Sequence, residues 1–113
     1  MQMNDATALK VLREIAQDSA KVIFTHHARQ RMRQRKVSPV QVLACLQRGI
    51  ISEPVALDMH GNWKLTVTHR VAGKDLDVAV AIDVPKRAHR FLGGEHVSLS
   101  GVRPSQRLAG ERL

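Results

Sequence analysis

"WKLTVTHRVAGKDLDVAVAID", residues 63–83, contains two runs in which apolar side chains recur at every second position. Trp63, Leu65 and Val67 alternate with polar neighbours in the first run; Leu76, Val78, Val80 and Ile82 do so in the second. A period of two is the signature of a strand with one buried face, and the glycine between the runs marks a hairpin. With Gly73 at the first central position of a two-residue loop, the register pairs Leu65 with Ile82, Val67 with Val80 and Val71 with Leu76. On the opposite face it sets Arg70 against Asp77 and Lys64 against Asp83, two pairs of opposite charge.

Upstream of this hairpin, Val55, Leu57 and Met59 alternate in the same way and "HGN" at 60–62 turns the chain, which predicts a strand before it. Further back the period becomes helical. Ser38, Pro39, Val40 and Gln41 form a capping box with proline at the first helical position, Val42, Leu43, Cys45 and Leu46 supply the buried side, and Gly49 is the stop. "KVIF" at 21–24 reads as a short strand, with Thr25 as N-cap of the helix that follows. Residues 5–17 read as an amphipathic helix capped by Asp5, its stripe made by Leu9, Leu12 and Ala16. A last strand is expected near 95–102, with Val97 and Leu99 on one side and His96, Ser98 and Ser100 on the other. The order predicts one α+β domain over residues 1–100, two to three N-terminal helices lying on one face of a small antiparallel sheet. Residues 101–113 are expected to be a mobile basic tail.

Eighteen Lys and Arg against ten Asp and Glu leave a net charge of +8, a field that attracts polyanions, RNA foremost, or an acidic protein. The single cysteine, Cys45, excludes an internal disulfide and a cysteine-rich zinc module, and its apolar surroundings predict an inert buried thiol. The N-terminal stretch carries no long apolar run, so neither a secretion signal nor a membrane span is expected, and a cytoplasmic location is the default. His26 and His27 are adjacent and cannot face one ion from a regular helix, so no metal or other cofactor is expected.

The charge is concentrated in "THHARQRMRQRKVS", residues 25–38, which contains no acid. On a helix starting after Thr25, His27, Arg31 and Arg35 stack along one ridge, Ala28 and Met32 face the core, and Arg29 and Arg33 extend the charge round the helix. Like charges at this spacing repel, so the arrangement does not favour an isolated helix and invites a ligand. Guanidinium groups suit paired phosphate oxygens. His27 is then a candidate general acid or base, Arg31 and Arg35 the principal phosphate ligands with Arg29 and Arg33 beside them, and His69 a candidate second proton-transfer group. The competing readings are a capping histidine at 27, a structural one at 69 and a solvated basic face on the helix.

The spacing H-A-x-x-R-M-x-x-R-x-(V/I)-S over His27–Ser38, the "VIFT" strand before it and the "VQVLACLQRG", "GNWKLTV" and "VAGKDLDVAVAID" segments after it resemble the bacterial domain of unknown function 4258 family. The resemblance covers residues 21–83. Its helices-then-sheet layout is similar to that of RelE-type toxins, which implies a metal-independent endoribonuclease held by an acidic or neutral antitoxin. Two features depart from those patterns. The family continues into a Val- and Ile-rich closing strand where this chain has "AIDVPKRAHRFLGGEHVSLSGV", and this chain has none of the tyrosine used near phosphate by several RelE-type enzymes. Three functions therefore stand as expectations: a toxin-like ribonuclease, a non-catalytic nucleic-acid-binding module, and an interaction domain for an acidic protein.

Overall fold

The structure, a computed structural model, describes residues 4–59, 61–71, 73–83 and 96–104. Helix α1 (Asp5–Ala16) is followed by a 3-10 turn (Ser19–Lys21), strand β1 (Val22–Phe24), helices α2 (His26–Arg35) and α3 (Pro39–Arg48), and strands β2 (Ile50–Leu57), β3 (Trp63–Val71), β4 (Lys74–Asp83) and β5 (His96–Pro104). The α+β architecture is as expected. The described strands form one five-stranded sheet in the order β1-β5-β4-β3-β2.

All three helices lie against one side of that sheet. Leu12 and Ile15 of α1 and Val42, Cys45 and Leu46 of α3 meet Leu65, Val67, Val78, Val80, Ile82, Val97 and Leu99 in a single core, each of these side chains at most 3% exposed. Ala28 and Met32 are the buried residues of α2, so this short helix holds to β5 by one narrow stripe. Full burial of a side chain the size of leucine stabilises by about 1.5–3 kcal/mol.

The hairpin keeps the expected faces but not the expected pairs. Val71 pairs with Lys74, which makes Gly73 (φ 78°) the second residue of the connection rather than the first. Every pair moves by two: Leu65 faces Val80, Val67 faces Val78 and Arg70 faces Asp75. A shift of two leaves each side chain on its own face. Arg70 accordingly reaches Asp75 (3.7 Å), and Lys64 reaches Asp58 (3.5 Å) in the β2–β3 turn.

Three further expectations are corrected. Asn4, not Asp5, caps α1 by accepting from Thr7 N (2.8 Å); Asp5 instead accepts from Val55 N (2.8 Å) and ties the helix to β2. The sheet is mixed, because β1 runs parallel to β5 with Val22 opposite Val97. The last strand expected near 95–102 is present as β5, which buries Val97, Leu99 and Val102, but it continues to Pro104, beyond the expected end of the domain at 100. A basic tail over the remaining positions lies outside the described residues.

The two caps that orient the basic segment are as the sequence implies. Thr25 Oγ1 accepts from Ala28 N (3.1 Å) while donating to the Leu99 carbonyl (2.7 Å), so the start of α2 is fixed to β5. Ser38 and Gln41 form the reciprocal box at the start of α3. Gly49 ends α3 for a packing reason: a Cβ there would collide with the Cys45 carbonyl and crowd that of Thr68.

Candidate nucleic-acid interface

Helix α2 is set by Thr25 at one end and by Lys36 at the other. Lys36 adopts the left-handed conformation (φ 57°, ψ 45°), its amide bonds to Arg33 O (3.3 Å) and the Val37 amide to Met32 O (2.9 Å), closing the helix. Between them His27, Arg31 and Arg35 recur every four residues and are all exposed. At 3.6 residues per turn the ridge drifts by about 40° per step toward the buried side, so Arg35 leans over the end of the sheet where His27 does not.

Among the described residues, none of the cations of α2 forms an ion pair. Arg29 is held back on the chain, its Nε donating to Phe24 O (3.1 Å) and its guanidinium 6.0 Å from the Phe24 ring centre. Arg31 donates to Gln34 Oε1 at 3.4 Å, and His27, Arg33 and Arg35 have no polar partner among the described residues. Four carboxylates pair with cations elsewhere: Asp75 with Arg70, Asp58 with Lys64, and Glu53 and Asp77 with Arg103. The ridge is thus an open row of donors, two of them guanidinium forks, able to take phosphate oxygens.

The structure does not bring His69 to His27. α2 packs on β5, and β3, which carries His69, lies two strands further across the sheet. His69 is opposite Leu76, whereas the start of α2 is at the level of Leu99, opposite Val80, four residues along β4. Two strand spacings and four residue rises separate the two imidazoles by on the order of 15 Å. An acid and a base acting on one phosphate must each be within a hydrogen bond, or one water, of its oxygens. His27 and His69 do not form such a pair. His69 is half-buried beside the core edge.

A cleft of about 430 Å³ opens where α2 ends. Val37, Val71 and Leu76 line its apolar part, and Arg35, Lys36 and Lys74 bring charge to it. Gln34 and Gln41 supply amides. Of these only Arg35 was singled out by the helix-ridge argument. Lys36 and Lys74 escaped it because one follows the helix and the other lies in a hairpin turn, and only the fold places them together.

The titration shifts fall away from the ridge. Burial, and then the charge of Asp77, push the Cys45 thiol up to about 11, so it is the inert core residue expected. Glu53 is held below its ordinary value by the Thr66 hydroxyl (2.6 Å) and then by Arg103 (2.8 Å). No group of three or more metal-ligating side chains occurs among the described residues, and no helix among them is long and apolar enough to cross a membrane.

The model of the domain of unknown function DUF4258 matches residues 24–90, more than half of the chain. This chain belongs to the DUF4258 family. The match holds the whole of α2, α3 and the β2–β4 meander, and so every candidate phosphate ligand of this DUF4258 domain; α1 and β5 lie outside it. No curated protein and no solved structure matches.

Proposed function

We propose that this DUF4258 protein binds RNA by its phosphates, using the ridge of His27, Arg31 and Arg35 with Arg33 on the flank of α2. The observation that carries the reading is that none of these side chains has an ion pair among the described residues, whereas Arg70 and Arg103 meet acids and Arg13 and Arg29 donate to carbonyls. A cation left in water beside like charges contributes nothing to folding, so its use is outside the fold. The likeness of layout to RelE-type toxins is the reason for naming RNA among polyanions, and an acidic antitoxin-like chain is the protein that would compete for the same ridge. Binding is favoured over cleavage because, among the described residues, His69 does not stand beside His27 as a second proton-transfer group.

The test is fluorescence anisotropy with a short single-stranded RNA across a salt series. Arg31→Ala with Arg35→Ala is expected to weaken binding roughly tenfold or more in low salt, and to flatten the dependence of log K on log salt by about 1.4 for two lost contacts on a single strand. His27→Ala is expected to weaken binding less than the double arginine variant, because a ring nitrogen offers phosphate less than a guanidinium fork. Loss of an intrinsic RNA-cleaving activity in that variant would convert the reading to a ribonuclease, and an unchanged salt slope in the double variant would refute the ridge.

A further inference from the structure

The cleft at the end of α2 is continuous with the ridge through Arg35, which belongs to both. A strand whose phosphates follow His27, Arg31 and Arg35 would arrive there with its next base unaccounted for. The cleft is large enough: about 430 Å³ falls in the range of roughly 300–1,000 Å³ typical of small-molecule pockets. Val37, Val71 and Leu76 give it apolar surface for the ring. Cations outnumber acids around it: Asp75 also borders the cleft, with one oxygen 3.7 Å from Arg70, while Arg35, Lys36 and Lys74 form no ion pair among the described residues.

The two amides add further donors to the cleft. Gln41 Oε1 is occupied by the Ser38 amide (2.9 Å), which leaves the side-chain Nε2 hydrogens to donate. Gln34 Oε1 faces Arg31 (3.4 Å), which leaves its NH₂ in the same position. Guanidinium and ammonium groups only donate. A cleft in which donors outnumber acceptors, over an apolar floor, favours a flat ring carrying two adjacent acceptors. Guanine offers O6 and N7 in that arrangement, whereas adenine offers N7 beside a donor.

From this geometry we infer that the cleft receives a single unpaired base of the bound RNA, guanine before adenine. The inference rests on the RNA-binding reading of α2 and adds a base-specific element to it.

The probes are six-residue ribose–phosphate strands with no bases, or with one guanine or one adenine at a fixed position. The guanine strand is expected to bind about tenfold more tightly than the base-free strand, with adenine between them, a size set by one paired base-edge contact. Gln41→Glu is the diagnostic variant, because glutamate preserves the capping box at this position while replacing a donor with a negative acceptor. Its thermal melt should match the parent, and it should erase the guanine preference while the base-free strand still binds with the same salt slope. Equal binding of all three strands with a normal salt slope would overturn the cleft inference and leave the ridge standing. Persistence of the guanine preference in Gln41→Glu would overturn it as well. Binding of none of the strands at low salt would remove the ridge reading and this inference together.

Discussion

On the outer face of the sheet Arg103 reaches Glu53 at 2.8 Å and Asp77 at 3.7 Å, and the hydroxyls of Thr66 and Thr68 donate to those same carboxylates. On the opposite side of the molecule the arginines of α2 meet no acid among the described residues. One region spends its charges on linking strands β2, β4 and β5, and the other leaves them to solvent. Carboxylates were available to the fold, and it assigned them to the sheet. The same residue type is structural in one region and available to a ligand in the other, and substitutions should separate the two roles.

The largest effect is expected at Asp77, which is 4% exposed and receives both Thr68 and Arg103. Asp77→Ala leaves a hydroxyl without its acceptor and a cation without its nearest buried charge, and should cost about 2–3 kcal/mol in urea unfolding. Asp77→Asn keeps an acceptor for Thr68 and should cost less. Neither change should alter RNA affinity measured below the unfolding transition. A parallel loss of RNA binding in the folded variant would erase the distinction between the two regions.

Next in size is the cap beside the cleft. Ser38→Ala removes the acceptor for the Gln41 amide and should cost about 1 kcal/mol, a loss visible in thermal unfolding. Smaller still are the proton-linked terms. Folded Cys45 keeps its proton up to about 11 against an ordinary 9.0, so its contribution is complete below pH 9 and is lost as pH rises through the folded value. A thiol reagent at neutral pH should therefore label it only after denaturation. Glu53 runs the other way: its folded value lies below the ordinary 4.5, so its contribution is present above that pH and fades as acid is added. Glu53→Gln should flatten the acid side of the stability profile.

Elements carried by local signals were legible in the sequence. Thr25 and the Ser38–Gln41 box announce their helices because a cap is decided within four residues, and the strand faces follow from a period of two. Pairing was less legible. Two loops differing by one residue in the place of Gly73 give registers two apart with the same faces buried, so Val67 facing Val78 rather than Val80 leaves no trace in the hydrophobic pattern. The parallel contact of Val22 with Val97 joins the first strand to the last, and no turn chemistry encodes a pairing that distant. The ridge on α2 needed only helical spacing. The cleft needed the fold, since Lys36 and Lys74 are brought together by the packing of α2 against the sheet end.

The smallest expected effect is the sharpest test of the contrast. Arg31→Ala should change unfolding free energy by no more than about 0.5 kcal/mol, in the stabilising direction at low salt. Alanine is the better helix former, and the substitution relieves repulsion from His27 when that ring is protonated and from Arg35 at any pH near neutral. Arg31 gives up only a 3.4 Å contact with Gln34 in exchange. The gain should shrink as salt screens the helix, with a Debye length near 10 Å at about 0.1 M falling to about 3 Å at 1 M. A measured loss of 1 kcal/mol or more would mean that Arg31 is held by the fold after all, and α2 would then resemble the outer face of the sheet rather than oppose it.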